Sequence, residues 1–243
     1  MKKIAVLYLF SILAPQIYAQ NADSLVVSQK RNYSSFIVPS VLVGSGVWLL
    51  HSKYNTTIQA KTNAIFGSDF QSKADNIFPL LPVGQMYLGM YLGLEPKTNF
   101  KKQTITIAMA NTATVVVVEL IKRLTQKERP DLSNNSSFPS GHTAVGFTNA
   151  TLLFYQYKES HFWYASSGYI FAGATAVFRM ANNKHFASDV LAGAGIGVAS
   201  GIIFSNSTLF HAFSVSKKSK TTAYIYPQIG KHIGFGASIY PNF

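Results

Sequence analysis

Two short stretches of the sequence place a histidine beside residue types that support nucleophilic and acid–base chemistry. In FPSGHT, His142 follows a proline, a serine and a glycine; in FRMANNKHFASD, His185 is followed four residues later by Asp189. Residues four apart on a helix are neighbours, so the carboxylate would accept a proton from one ring nitrogen of His185 and leave the lone pair of the other exposed. An imidazole held in this way is a nucleophile.

Basic residues and a helix start in the same region suit an anionic ligand. Lys122 and Arg129 are seven residues apart, close to two helical turns, and Arg179 can hold a phosphoryl oxygen with two hydrogen bonds. The residues before His142 are typical of a helix start, whose free N–H groups bind anions, and Gly141 lets an anion approach the backbone. Each feature alone is better explained as a solvated basic end or a packed histidine, so only their combination indicates a site.

Together these residues resemble the type-2 phosphatidic acid phosphatase superfamily, which also includes bacterial acid phosphatases and vanadium haloperoxidases. The signature has three parts: Lys, six residues, Arg-Pro; then Pro-Ser-Gly-His; then Arg, five residues, His, three residues, Asp. It is met here by Lys122, Arg129 and Pro130, by Pro139, Ser140, Gly141 and His142, and by Arg179, His185 and Asp189. Ten specified positions in the right order and spacing are a specific signal, and the resemblance covers about residues 103–205.

The resemblance implies a role for each matched residue. His185 would attack phosphorus and form a phosphohistidine, with Asp189 orienting it, while His142 would protonate the leaving oxygen and later help to activate water. The other matched positions would hold the phosphoryl oxygens and neutralise charge in the transition state: Lys122, Arg129, Ser140, Gly141 and Arg179. These groups do the work that metal ions do in many other phosphoryl-transfer enzymes, so no metal and no cofactor is expected.

Two positions depart from the family pattern. Phe178 stands where the family usually has a serine before the arginine of the third motif, and the first and second motifs are unusually close together. The missing hydroxyl removes a hydrogen bond to phosphate, which bears on affinity or substrate breadth, and the short loop is expected to leave little lid over the site.

The composition indicates a membrane environment and an anionic partner. Apolar residues make up 48% of the 243 residues and charged residues only 12%, about half the usual share for a soluble domain. The formal charge of +12 suits phosphate, anionic lipid or nucleic acid, and the motifs favour phosphate, so no nucleic-acid partner is expected. Because the chain has no cysteine, disulfides, zinc-thiolate sites and cysteine nucleophiles are excluded.

The distribution of charge predicts an all-α bundle of about six core helices embedded in a membrane. Six windows without Asp, Glu, Lys or Arg are long enough for helices in or against a bilayer. They span residues 32–52, 76–94, 103–118, 132–157, 160–178 and 190–216. A mean hydropathy of only +0.15 leaves a compact soluble bundle as the alternative. Glycines at 193, 197 and 201 predict close packing against a neighbouring helix.

The two ends of the chain differ from the middle. Residues 1–19, with Lys2 and Lys3 before a short apolar run, read as a signal peptide, or alternatively as an uncleaved anchor. Residues 20–212 then form the helical phosphatase domain, with the motifs in 103–205. Residues 213–243 form a basic tail ending in a β-hairpin that turns near Gly230.

The three motifs fall on one side of a membrane whichever way the helices run. If all six windows span after signal cleavage, the site faces the cytoplasm, whereas a phosphatase of this kind is expected in the cell envelope with its site facing the periplasm. One early window must then fail to span, and 32–52, broken by Pro39, Gly44 and Gly46, is the weakest. A soluble periplasmic domain would remove the conflict.

The leading hypothesis is therefore a metal-independent phosphatase acting on a phosphomonoester or diphosphate of a membrane lipid or isoprenoid. The alternatives are a soluble periplasmic acid phosphatase of the same superfamily, a vanadium haloperoxidase, because a phosphate site also holds vanadate, and an inactive envelope protein that binds lipid or a partner.

Overall fold

The computed structural model describes residues 33–206, 221–229 and 233–241, and in these ranges the chain is a helical bundle followed by two strands. A 3-10 turn (Tyr33–Phe36) leads into α1 (Ile37–Leu50), α2 (Tyr54–Phe66), α3 (Ala74–Ile77), a second 3-10 turn (Phe78–Leu80) and α4 (Leu81–Tyr91). The second half contains α5 (Phe100–Thr125), α6 (Gly141–Tyr157), α7 (Phe162–Ala181) and α8 (Ala187–Asn206). The predicted all-α fold is confirmed, and each uncharged window contributes one longer helix: α1, α4, α5, α6, α7 and α8.

Helix α8 packs closely against α6 because its glycines leave no room for side chains between the two backbones. A Cβ on Gly193 would lie 2.5 Å from the carbonyl oxygen of Ser140, and one on Gly197 would lie 2.3 Å from that of Ala144. A Cβ on Gly201 would meet a threonine of α6 at 2.4 Å. The predicted small-residue contact is confirmed, and it ties α8 to the helix that begins at the second motif.

Helix α1 packs on another face of α8 through a second set of close approaches. A Cβ on Gly46 would lie 2.7 Å from the backbone nitrogen of Ala192, and one on Gly195 would lie 2.7 Å from the carbonyl oxygen of Pro39. The end of α1 therefore meets the start of α8. Since α6 and α1 both contact it, most of α8 is buried, whereas α5 is mostly exposed.

Only two helices in the described part of the chain are long and apolar enough to cross a membrane, Phe100–Thr125 and Ala187–Ser205. A third span is available only if residues 34–50 and Tyr54–Phe66, which meet at 94°, act as one broken segment. The uncharged windows indicated helices in or against a bilayer, and not all of these helices meet the length and hydropathy of a span. A helix without charged residues can still be too short to cross a bilayer. α1 has 14 residues and α4 has 11, whereas a membrane span needs about 20.

Large apolar side chains cover the outside of the bundle. On α5 they include Val115, Val116 and Leu124, each more than half exposed, and similar side chains line α1 and α7. Large exposed apolar patches are uncommon on soluble monomers. This surface favours contact with lipid over the soluble alternative.

The backbone of the tail forms the expected hairpin. β1 (Thr221–Ile229) and β2 (Ile233–Pro241) pair antiparallel, from Thr221 opposite Pro241 to Ile229 opposite Ile233. The predicted turn near Gly230 lies outside the described residues. The predicted signal peptide (1–19) and the lysine-rich start of the tail lie outside the described residues.

Candidate active site

Two loops at one end of the bundle bring the three motifs together. Residues 126–140 join α5 to α6, and residues 182–186 join α7 to α8. The backbone N–H of Asp131 donates to the carbonyl of Asn183 at 3.1 Å, and Lys184 pairs with the Asp131 carboxylate at 2.5 Å. Burial acts to raise the pKa of Asp131, but hydrogen bonds from Lys184 and Ser133 outweigh it and lower this pKa to about 2. The short loop between the first two motifs is thus bound to the segment that carries the third motif.

His185 and Asp189 are close together, but not as neighbours on a helix. α8 begins at Ala187, so His185 precedes it, and Asp189 sits in its first turn. The Asp189 carboxylate accepts a hydrogen bond from the backbone N–H of Phe186 at 2.9 Å, which ends the helix before it can reach His185. The Nδ1 atom of His185 still lies 3.6 Å from Asp189 Oδ2, just beyond hydrogen-bonding distance.

Asp189 is held rigidly by three side chains, two from the loop 126–140 and one from α8 itself. Its carboxylate accepts from Ser137 Oγ at 2.5 Å, from Ser188 Oγ at 2.8 Å and from Lys127 Nζ at 3.1 Å, and its side chain is fully buried. A buried carboxylate with this many donors is ionised and cannot rotate freely. It therefore places a fixed negative charge 3.6 Å from Nδ1 of His185.

His185 is a neutral imidazole at neutral pH. It is 1% exposed, and burial, with a contribution from Arg179, lowers its pKa to about 4 against the opposing effect of Asp189. Its backbone N–H donates to the carbonyl of Arg179 at 3.2 Å, which connects it to the end of α7. With Nδ1 facing Asp189, the lone pair of the other ring nitrogen is available to an electrophile.

Lys122 and Arg129 do not share a helix face, contrary to the spacing argument. α5 ends at Thr125, where Gln126 takes a left-handed conformation with φ of 46°, and Arg129 lies in the following loop. Arg129 is nevertheless directed into the bundle: its Nε atom is buried and has no hydrogen-bond partner among the described residues. Burial and the nearby Arg179 lower the pKa of Arg129, so the two guanidinium groups are close enough to repel each other.

Arg179 lies at the end of α7, as predicted, and pairs with a carboxylate that the motifs do not include. Its Nη1 donates to Asp75 Oδ2 at 2.8 Å, and Asn182 donates to the same oxygen at 3.0 Å. Asp75 is only 2% exposed, so this is a buried ion pair that holds the Arg179 side chain. The sequence offered one signal, an acidic residue immediately before the uncharged window 76–94.

The second motif forms the start of α6, as predicted. Ser140 precedes the helix, its backbone N–H donates to the carbonyl of Asp189 at 2.9 Å, and its hydroxyl accepts from Thr143 at 2.9 Å. The first N–H groups of a helix have no carbonyl partner within it, so those following Ser140 can bind an anion. A Cβ on Gly141 would meet only Val118 at 3.6 Å, an ordinary contact, so protein packing does not require the glycine.

His142 lies at the mouth of the site and contacts Asn76. The two are joined by a 3.1 Å contact between His142 Nε2 and Asn76 Oδ1. Burial, followed by the charges of Arg179, Lys122 and Arg129, lowers the pKa of His142, while Asp75 opposes these effects. All three predicted phosphate-binding cations therefore act on one histidine, which places them around a common centre.

A groove of about 330 Å³ opens beside Lys122 and His142. Its remaining walls are mostly apolar, contributed by α5, α6 and the segment before α4: Asn76, Pro79, Leu80, Val115, Val118, Glu119, Gly141 and Val145. The site therefore has a polar end with positive charge and an apolar extension along the bundle.

Phe178 packs away from the charged groups. Its ring makes edge contacts with Phe70 at 5.8 Å and Phe78 at 5.5 Å between centroids. The residue in place of the usual serine thus joins an aromatic cluster that supports the end of α7, next to Arg179.

Motif matching missed the residues that hold the matched ones in place. Asp75 and Asn76 contact Arg179 and His142, and Ser137 contacts Asp189. Asp75 and Asn76 lie in a short helix far from the motifs in the chain. Ser137 lies between the first two motifs, at a position that neither motif specifies. Lys127 lies between Lys122 and Arg129 of the first motif, but no sequence pattern predicts its contact with Asp189.

Comparison with known proteins supports the same family. Residues 103–211 match the model of the PAP2 superfamily. The chain is 32% identical over 162 residues to the lipid A 1-phosphatase of Porphyromonas gingivalis, covering 63% of this chain and 36% of that protein. It is 25% identical over 142 residues to a PA-phosphatase related-family protein of Dictyostelium discoideum, covering 48% and 52%. The chain thus spans between about a third and a half of the length of these curated relatives.

A crystal structure of Aquifex aeolicus LpxE aligns with a TM-score of 0.47 and 23% sequence identity, covering 63% of this chain and 96% of that one. The matched segment, residues 103–211, contains all three motifs and the helices α6, α7 and α8 that position them. This segment of the chain is similar to the PAP2 superfamily, the type-2 phosphatidic acid phosphatase family that its motifs resemble.

Proposed function

We propose that this protein is a phosphatase that hydrolyses a phosphomonoester or diphosphate of a membrane lipid or isoprenoid through a phosphohistidine on His185. The observation that carries the proposal is the convergence of Lys122, Arg129 and Arg179 on His142 at the start of α6. Arg179 and Arg129 also act on the buried His185, which precedes α8. The cations and the helix N-terminus supply the positive charge that a phosphoryl group needs, so the reaction requires no bound metal ion.

In the first step, the free ring nitrogen of His185 attacks phosphorus while the Asp189 carboxylate faces the other ring nitrogen and stabilises the positive charge that develops on the imidazole. As the nitrogen–phosphorus bond forms, the bond from phosphorus to the leaving oxygen breaks. His142 donates a proton to that oxygen, so the lipid leaves as a neutral alcohol, or as a less charged phosphate in the case of a diphosphate.

In the second step, water replaces His185. His142, now deprotonated, accepts a proton from a water molecule as its oxygen bonds to phosphorus. The nitrogen–phosphorus bond breaks, its electron pair returns to His185, and inorganic phosphate leaves. Both histidines are then in their starting states.

The charges in the free site prepare it for an anion. Burial and mutual repulsion lower the pKa of Arg129, and burial and three cations lower the pKa of His142. A bound phosphate brings negative charge into the centre of this group, which removes the repulsion and favours the imidazolium form of His142. Substrate binding therefore protonates the acid that the first step requires.

The groove beside His142 supports a lipid as the substrate. Its apolar walls, with Val115 and Leu80 both more than half exposed, continue from the phosphate site onto the outer surface of α5. An acyl or isoprenoid chain can lie there while its phosphate stays at the polar end. The lipid A 1-phosphatase of Porphyromonas gingivalis is a relative of this chain, so the 1-phosphate of lipid A is the first substrate to test.

Activity on a substrate panel tests the proposal. Purified protein should release phosphate from lipid A, phosphatidate or an isoprenoid diphosphate in mixed micelles, also in the presence of EDTA. His185→Ala should abolish this activity, whereas His161→Ala, the same change at the start of α7 and the opposite end of the bundle, should preserve it. Full activity of His185→Ala, or loss to EDTA that added metal restores, would contradict the mechanism.

We further propose that the site faces the periplasm from the inner membrane. The chain has no cysteine, so single cysteines report accessibility without background. Ser133→Cys in the exposed loop after α5 should react with a membrane-impermeant maleimide in cells with a permeabilised outer membrane. Glu159→Cys at the opposite end should react only after lysis. The reverse pattern places the site in the cytoplasm, and labelling of both cysteines before lysis indicates a soluble periplasmic protein.

A further inference from the structure

The short helix α3 presents two consecutive polar residues to different parts of the candidate site. Asp75 is buried and pairs with Arg179 at 2.8 Å. Asn76 is exposed, lines the apolar groove and contacts His142 Nε2 through its Oδ1 atom at 3.1 Å. Neither residue belongs to the three motifs, yet one segment of four residues touches both a phosphate-binding cation and the proposed acid.

The contact with Asn76 defines the state of the His142 ring. A carboxamide oxygen only accepts hydrogen bonds, so the proton must lie on Nε2 of the histidine. Because Asn76 and His142 both line the groove, this proton faces the space into which the substrate extends. It is the proton that a leaving oxygen at that place would receive.

We propose that Asn76 is a positioning residue for His142: its carboxamide oxygen holds the Nε2 proton toward the groove, at the place of the leaving oxygen, and is displaced by that oxygen when substrate binds. The inference rests on the proposed function, in which His142 is the general acid. It assigns Asn76 to the step in which the bond to the leaving group breaks.

Several charged groups face His142, and Asn76 is neutral among them. Arg179 from α7, Lys122 from α5 and Arg129 from the following loop contribute positive charge, while Asp75 from α3 contributes negative charge. Glu119 of α5 lines the same groove and pairs with the exposed Arg123 at 3.9 Å. A carboxylate in place of the Asn76 amide would therefore add one negative charge next to His142 and leave the other charged groups around it unchanged.

A comparison of leaving groups tests the positioning role. A long-chain alkyl phosphate such as dodecyl phosphate needs a proton on its leaving alkoxide, whereas 4-nitrophenyl phosphate releases a stable anion. We expect Asn76→Ala to lower kcat for dodecyl phosphate about tenfold and to change kcat for 4-nitrophenyl phosphate by less than about twofold. Ile77→Ala, an exposed neighbour on α3, should leave both rates unchanged.

The results separate this inference from the proposed function. If His185→Ala loses activity on both substrates but Asn76→Ala is unaffected, or is equally impaired on both, the role of Asn76 is wrong and the phosphatase proposal stands. If His185→Ala retains activity, the phosphatase mechanism itself fails.

Asn76→Asp gives a second, independent readout in the pH profile. A carboxylate at about this distance from Nε2 stabilises the imidazolium, so the pKa of His142 rises and the acid stays protonated to higher pH. The basic limb of kcat/KM for dodecyl phosphate should move up by about one pH unit, with a higher KM because the new charge repels phosphate. A basic limb at the wild-type pH would overturn the proposal, since a merely structural contact does not move it.

Discussion

A buried cation requires a partner when no anion is bound, and for Arg179 that partner is Asp75. The guanidinium and the carboxylate are both almost fully buried and lie 2.8 Å apart, with Asn182 completing the carboxylate's hydrogen bonds. Removing one member of such a pair leaves an uncompensated charge in the interior. In this site, however, a bound phosphate can replace the missing negative charge.

Asp75→Asn therefore has two expected effects. The free protein should lose about 3 kcal/mol of stability and melt at a lower temperature, because Arg179 stays charged without a carboxylate. Added phosphate or vanadate should raise the melting temperature of the variant more than that of the wild type, since the anion supplies the charge that the substitution removed. Thermal unfolding in detergent micelles, with and without the anion, measures both.

The exposed pair Lys158–Glu159 provides the control for this experiment. Glu159→Gln changes a carboxylate to the same amide on the surface, and exposed pairs contribute little to stability. It should change neither the melting temperature nor the response to phosphate. An equal response to phosphate in Asp75→Asn and the wild type would contradict the view that Arg179 exchanges Asp75 for the anion.

The matched residues could be predicted from the sequence, whereas their partners could not. Lys122, His142 and His185 follow fixed spacings within one segment, so a linear pattern finds them. Asp75 reaches Arg179 across 104 positions, and Asn76 reaches His142 across 66. Contacts of this range depend on how α3 packs against the bundle, which no local spacing encodes.

At the scale of the elements, glycine spacing predicted a packing surface, but residue spacing gave two wrong local geometries. The fourth-residue glycines of α8 do meet α6 directly. The helix of Lys122 ends at Thr125, before Arg129, and the helix of Asp189 begins at Ala187, after His185. Periodicity can identify a helix face, but a left-handed residue or a capping carboxylate ends the helix, and tertiary contacts then bring the side chains together.

The packing of α8 on α6 also positions the end of α6 that carries His142. Gly197→Ala would place a Cβ 2.3 Å from the carbonyl oxygen of Ala144, two residues after His142. The backbones must separate, so we expect a loss of stability of about 1–3 kcal/mol and a lower kcat, because the start of α6 moves relative to His185. Thermal unfolding and the phosphatase assay measure these effects.

Gly173→Ala is the matched change on α7. Its Cβ would meet no atom within 4 Å, so the melting temperature and kcat should be unchanged or slightly increased. If Gly197→Ala behaves in the same way, the close contact between α6 and α8 does not position the site.

At the scale of the whole molecule, the candidate site lies about one bilayer thickness from a group of aromatic residues at the other end of the bundle. Phe100 begins α5 and Lys122 lies 22 residues later, which on a helix corresponds to about 33 Å, close to the roughly 30 Å of a hydrocarbon core. Tyr91 and Trp163, both more than 80% exposed, lie at the same end as Phe100. Trp48 lies near the opposite end, where α1 meets the start of α8. Aromatic side chains of this kind are typical of the two membrane interfaces.

The two tryptophans of the chain can test this placement directly. Trp163→Phe leaves Trp48 as the single tryptophan, and Trp48→Phe leaves Trp163. In vesicles, the fluorescence of each remaining tryptophan should be quenched more strongly by lipids that carry a quencher near the headgroup than by lipids that carry it at the end of the acyl chain. The reason is that each indole lies at an interface about half a bilayer from the midplane. Wild-type phosphatase activity of both variants is the control for folding. Quenching of Trp163 by the deep probe would move the far end of the bundle into the membrane interior, and the absence of quenching for both would favour a soluble protein whose site takes its phosphate from water.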